Sequence, residues 1–322
     1  MRLWWLAALP MLAKAAWIPA ADEVLAKVDT SPLPVTRAAI SEAMDQAFLS
    51  ANPRLMDRLD AALAALPEPK PDWYWWQKAR LLQHSHRLEE AGVFLGRWLA
   101  LHPEDPSGQL LAARLALMRG EPKRAEGHCR RLMGQVALEI SAACLLEARA
   151  DAGQLADSYR RLSALLAKAP LPQNGVGLWL ASMAADLALQ LKSPQAALDW
   201  LAPFAGQLDL PASVLWAQAM RETGQGQALA AYFRQQDINN LADALLLELT
   251  LADPAGPWRA RLDDRIQWLS WRQDSQHAAV LARYYLEVAP DAKAALYWAQ
   301  QNLSQVKEPK DRALLAKAEE GR

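Results

Sequence analysis

Two cysteines and five histidines are the residues of this 322-residue chain best suited to covalent or metal chemistry. Cys129 and Cys144 fall on consecutive expected helices, at similar distances from a loop centred near Gln135 and Val136. In an antiparallel pair, residues equidistant from the turn sit at one level, so the two thiols can face each other. Two outcomes stay open: a disulfide, which an oxidising compartment permits and which needs Cβ atoms within about 4 Å, or two separate buried thiols. A metal site would need three or four of His84, His86, His102, His128 and His277 to converge. Their spacing does not require it. His84-Ser85-His86 sits in a turn and His128 adjoins Cys129, so solvated turn histidines are expected, with no metal and no cofactor.

Other chemistry finds little support. The chain has no G-x-S-x-G elbow, no Walker loop, no G-x-G-x-x-G and no H-E-x-x-H. Asp263-Asp264 precedes Arg265 and Asp22-Glu23 opens a helix, yet neither has a base or nucleophile beside it. A non-catalytic protein is expected. The charge balance of 35 basic and 36 acidic residues, net −1, gives no electrostatic footprint for nucleic acid. No Lys/Arg cluster is dense enough for an anionic membrane surface.

The elements that would position any site are helical. Hydrophobic residues make up 52% of the chain; many are the strong helix formers Ala and Leu, and β-branched residues are sparse. A template of Trp75, Ala79, Leu82, Ala91, Leu95 and Pro103, moved 34 residues along, meets Gln109, Ala113, Ala116, Ala125, Cys129 and Ala137. Alanines coincide at Ala79/Ala113 and Ala91/Ala125, and Gly120 falls in the second copy's turn. Less regular copies run from Glu139 to Pro170 around Gly153, from Val176 to Leu208 around Lys192-Ser193-Pro194, and from Ala212 to Gln236 around Gly224. A helix from Ile238 to Leu251, a break at Asp253-Pro257, and pairs over Arg259–Pro290 and Ala292–Glu319 complete the chain. Val35–Ser50 and Pro53–Leu66 form an earlier pair.

This spacing of small residues resembles the tetratricopeptide repeat, two antiparallel helices in 34 residues. The resemblance implies an all-α, right-handed α-solenoid of helical hairpins stacked on one continuous core. Ala79, Ala91, Ala113 and Ala125 would lie where helices cross, with Trp75, Leu82 and Leu95 filling the space around them. Five segments are expected: a signal peptide (1–15), an N-terminal segment and pair (16–71), the best-matching repeats (72–170), degenerate repeats (171–252) and C-terminal pairs (253–322).

The run Trp73-Tyr74-Trp75-Trp76 divides by helical spacing. Trp75, Ala79 and Leu82 share the packing stripe, Tyr74 falls at the outer edge, and Trp73, Trp76, Arg80 and His84 share the other face. In the repeats this chain resembles, that face lines a concave groove where protein partners bind. Leu110, Arg114, Leu117 and Met118 would extend it, giving a surface with the composition of a binding hot spot. The competing arrangement packs Trp73 and Trp76 on the preceding pair. The Lys/Asn clamp for acidic C-terminal peptides is missing, because the matching places hold Trp76, Arg80, Ser107, Leu110 and Arg114.

The start, MRLWWLAALPMLAKA, has an early Arg2, an apolar run and small residues at Ala13 and Ala15, the pattern of an export signal cleaved after Ala15. The run is shorter than the ~20 apolar residues of a membrane span, and no cysteine follows it to carry a lipid. The expected address is the periplasm, less readily the medium. The expected function is a protein- or peptide-binding scaffold in a cell-envelope assembly. A glycan-binding envelope module is the alternative, because exposed members of the 14 tryptophans could stack on sugars. A cytoplasmic adaptor follows if the N-terminus is retained.

Overall fold

The computed structural model describes residues 33, 35–50 and 53–321. The expected signal peptide lies outside those residues, as do Pro32 and Pro34 of the first linker. Among the described residues the fold is all-helical and contains no β-strand. α1 (Arg37–Ser50) and α2 (Pro53–Ala64) precede α3 (Trp73–His84), α4 (Leu88–Leu101), α5 (Pro106–Met118) and α6 (Pro122–Arg131). Then come α7 (Leu138–Arg149), α8 (Leu155–Leu166), α9 (Gly175–Gln190), α10 (Pro194–Leu201), α11 (Leu210–Glu222) and α12 (Gly226–Phe233). The last five are α13 (Asp243–Ala252), α14 (Trp258–Trp271), α15 (Ala278–Glu287), α16 (Ala292–Gln305) and α17 (Pro309–Glu320).

Local chemistry sets the ends of these helices. Asp105, Asn174, Asp209 and Asp291 each turn a side-chain oxygen onto backbone N–H groups of the first turn of α5, α9, α11 and α16. Five helices stop in the same way, α14 among them, where Asp274 N–H reaches the Leu269 carbonyl at 3.0 Å after Gln273 with positive φ. The backbone N–H groups of Arg87, Glu121, Ser193 and Gln225 reach back to the carbonyls of Leu82, Ala116, Ala188 and Met220 at 2.8–2.9 Å. The residue before each donor, His86, Gly120, Lys192 or Gly224, has positive φ. This is the left-handed turn that closes helix ends, usually through glycine. Three of the five helix ends make it without one, at His86, Lys192 and Gln273.

Successive helices pack in pairs from α1/α2 to α15/α16, with α17 covering the end. The C-terminal pairing differs from the sequence expectation. Arg259–Pro290 is not a hairpin, because α14 packs back on α13 and makes no comparable contact with α15. Asp253–Pro257 is therefore the tight turn inside a pair, closed by Gly256 N–H on the Asp253 carbonyl at 2.9 Å. The Pro/Gly content that suggested a boundary is what a turn of this length requires.

The apolar clusters are shared by consecutive pairs. Ala79, Ala91, Ala113 and Ala125 are buried together with Leu82 and Leu95. Trp75 is only half-buried. It packs beside Phe94 and lies under the Arg97 guanidinium, 4.6 Å from the ring centre.

Candidate functional site

Every odd-numbered helix touches the next odd one, from α1 through α17, whereas no comparable contact joins consecutive even-numbered helices. The layer whose members crowd together lies on the inside of a curved stack. The odd helices therefore form an inner wall.

That wall carries a ladder of charge at intervals close to one repeat: Asp45, Arg80, Arg114, Glu147, Asp186, Arg221, Glu248 and Arg283. Several neighbours on it pair directly. Arg80 Nη2 meets Asp45 Oδ1 at 2.8 Å and Arg114 Nη1 meets Glu147 Oε1 at 3.5 Å. Glu248, fully buried, accepts from Arg221 Nε at 2.7 Å and Arg283 Nη1 at 2.6 Å. A buried carboxylate held between two guanidinium groups is satisfied at both oxygens, the condition under which burial of charge is tolerated.

The C-terminal segment folds onto this wall. Lys307 N–H donates to the Met118 carbonyl at 2.7 Å. Val306 is buried in the cluster that holds Ala79, Leu82, Ala91, Leu95 and Met118. Glu308 receives both Arg114 nitrogens, Nη1 to Oε1 at 2.6 Å and Nη2 to Oε2 at 3.1 Å. Its backbone N–H and the Asp311 carboxylate complete a reciprocal cap on α17.

Around Glu308 a cavity of about 40 Å³ is lined by Arg114, Glu147, Asp151, Asp186, Gln190 and Lys310. Burial pushes the Glu147 carboxyl up to about 7; Arg114 opposes this, and Glu308, Asp151 and Asp186 reinforce it. Asp151 is pushed up to about 6, by burial first and then by Glu308. Glu308 itself goes the other way. Burial raises its carboxyl, but Arg114 and Lys310 together hold it below the usual carboxylate range. Of these acids, Glu308 is the one that carries the full ion pair.

The groove residues expected from sequence do not form one open surface. Arg80 is engaged by Asp45 and lies over the Phe48 ring of α1 at 5.3 Å, and His84 stacks on the same ring at 4.1 Å. Burial, with His86 and Arg80 nearby, pushes His84 down to about 4. Trp73 packs on the α1–α2 cluster, while Trp76 packs on the α3–α5 cluster with Trp98 at 6.0 Å. Leu110 lies against the cluster of Ala113, Ala125 and Cys129, and Leu117 and Met118 are buried. Of the expected set, Arg114 and Met118 meet a peptide segment, the chain's own. Tyr74, expected at the outer edge, is buried against α1 and α2 at 8% exposure. The N-terminal pair covers both flanks of the aromatic run, a contact that helical spacing within α3 could not reveal.

Cys129 and Cys144 are joined in a disulfide between α6 and α7, their Cα atoms 5.5 Å apart. His128 Nδ1 lies 2.8 Å from Gln109 Oε1, and His277 faces Asp274 and Asp243. The histidines are thus spread over separate turns and helix ends. Among the described residues no helix is long and apolar enough to cross a membrane.

Sequence reasoning missed Glu308 and the rest of the ladder. A charged residue recurring near every 34 positions was the available signal, already present in Arg80 and Arg114. No protein-family model, curated protein or solved structure matches this chain.

Proposed function

We propose that this chain is a non-catalytic scaffold of tetratricopeptide type, a right-handed superhelix that holds a protein or peptide segment against its inner wall. One observation carries the reading. The wall already grips an extended segment, Val306–Glu308, through a main-chain hydrogen bond, an apolar socket for Val306 and a two-point ion pair from Arg114. Those are the three kinds of contact by which a peptide is recognised in a groove. A partner segment with an apolar residue two positions before a carboxylate would present the same chemistry.

The Cys129–Cys144 disulfide supports an oxidising, periplasmic setting. Intact mass of the protein from its host tests export: loss of residues 1–15 is expected, and a full-length chain points to the cytoplasmic adaptor. A crosslinked capture from the native envelope tests the scaffold, comparing wild type, Arg114→Ala and Glu308→Ala, each checked for helical content. The reading expects one protein captured more strongly by Glu308→Ala, in which the internal segment is loosened, and lost in Arg114→Ala. Identical captures by all three proteins refute it.

The glycan reading rests on a different surface. Trp271 and Tyr297 are 46% and 42% exposed, and the Tyr297 hydroxyl donates to Gln273 Oε1 at 2.8 Å. Retention on peptidoglycan that disappears in Trp271→Ala/Tyr297→Ala would favour it over the peptide groove.

A further inference from the structure

Where the C-terminal segment meets the α5–α6 turn, a groove of about 490 Å³, largely open to solvent, runs along the seam. That volume falls in the ~300–1,000 Å³ range of small-molecule sites. Its two sides come from distant parts of the chain: Arg119 and Gly120 on one, α16 and α17 on the other. The approach is close. Gly120 has φ +73°, and a Cβ there would stand 2.8 Å from Arg312 Nη2.

The lining is chemically one-sided. Leu303 and Leu315 give it an apolar floor, Gln300 and Ser304 a polar edge, and Arg119, Lys307 and Arg312 three cations; no carboxylate lines it. Arg119 is partly neutralised by Glu89, at 3.0 Å, and donates to the Leu88 carbonyl, while its buried Nε has no partner. The Arg312 guanidinium donates only to the Lys307 carbonyl. Lys307 and Arg312 have no acidic partner among the described residues. Elsewhere on the chain, by contrast, most cations near the seam are paired, as with Arg114 and Lys310 to Glu308.

Unneutralised cations over an apolar floor in a ligand-sized groove are complementary to one class of molecule. The geometry points to a binding site for a small amphiphilic anion, its carboxylate or phosphate head between Lys307 and Arg312 and its apolar body on Leu303 and Leu315. Such a ligand touches both sides of the seam, so it favours the closed arrangement by mass action.

Calorimetric titration of the full-length protein with decanoate, decyl phosphate and decyltrimethylammonium tests this. One site is expected for the anions and none for the cation of equal tail length, and the stronger of the two anions identifies the head group. Lys307→Gln should weaken anion binding at least about fivefold, as expected when one of the cations facing the head group is lost. Ser304→Phe, which fills the groove and leaves the charges in place, should abolish it. Both positions are exposed, and melting checks that each variant folds; should Lys307→Gln fail to fold, Ser304→Phe decides alone. Silence with both anions, equal binding of the cation, or anion affinity unchanged in the folded variants overturns the proposal.

Discussion

Arg114 and Glu308 lie 194 residues apart and meet through two parallel hydrogen bonds, at 2.6 and 3.1 Å. This pair ties the third odd helix of the inner wall to the last. A stack of hairpins needs only neighbour contacts to hold together, so a contact across about six helical pairs' worth of chain is an addition to the repeat plan. It makes α5 and the C-terminal end of the array depend on each other.

The first prediction follows from that dependence. Removing Arg114 strands the Glu308 carboxylate, which is 7% exposed, without its guanidinium. Arg114→Ala should cost about 2–3 kcal/mol, below the usual figure for a fully buried pair because the arginine keeps solvent contact. Hydrogen exchange should accelerate over residues 305–312 and at the end of α5. Unchanged exchange at both places would show that the pair does not hold the segment.

Glu248 offers a sharper case within neighbouring helices. It is fully buried between Arg221 and Arg283. Glu248→Ala leaves two guanidinium groups facing each other and should destabilise by about 4 kcal/mol. Restoring packing with Glu248→Ala/Arg221→Leu/Arg283→Leu should recover much of the loss in a urea melt. A single variant as stable as wild type would mean that the arginines find other partners at no cost.

The disulfide gives a third prediction. Cys129 and Cys144 close a loop of 15 residues, worth about 3 kcal/mol by chain entropy. The double variant Cys129→Ser/Cys144→Ser should lose that stability, and native protein should release no free thiol under denaturing, non-reducing conditions. One or two titratable thiols would contradict the pairing.

Much of this architecture was legible. The helix boundaries of α3 to α12 follow from the alanine register and the turn residues, because crossing helices need small side chains and turns need positive φ. His86 and Lys192, both read from the sequence as turn residues, adopt that conformation without being glycine. The site was less legible. Spacing within α3 sorted its residues by face, yet two faces of that helix are buried: Tyr74 and Leu81 against α1–α2, Ala79 and Leu82 against α4–α5. Arg80 and His84 looked free because Phe48, which lies over both, is more than 30 residues away. The return of Glu308 to Arg114 depends on the cumulative curvature of the whole stack, and no local pattern encodes that.

A fourth prediction concerns Gly177, near the start of α9. A Cβ there would fall 1.8 Å from the Pro172 carbonyl oxygen, a backbone atom that cannot rotate away. Gly177→Ala should therefore destabilise by about 3 kcal/mol, the upper range for overpacking, although alanine is the better helix former. A melt equal to or above wild type would mean that the preceding loop relocates freely.

The last prediction is a pH dependence with a definite sign. Glu147 is pushed up to about 7 in the fold, against an ordinary value of 4.5. A carboxyl whose folded value exceeds its unfolded one binds protons more readily in the native state. Its contribution is most favourable below about 4.5 and is lost as pH rises through 7. Asp151 acts in the same direction, while Glu308, held low, supports the fold above its ordinary range and loses that support in acid. The partly buried histidines His84, His86 and His128 are held low and also oppose folding as pH falls below about 6.5. Wild type alone therefore mixes opposing trends, and the difference between two proteins isolates Glu147. Glutamine mimics its protonated form at every pH. Glu147→Gln should match wild type near pH 5 and exceed it at pH 8 by about 1–2 kcal/mol, an amount reduced by the side chain's remaining solvent contact. Urea melts at the two pH values provide the comparison. A difference that stays flat, or that favours wild type at pH 8, would mean that Glu147 is ionised without penalty beside Arg114.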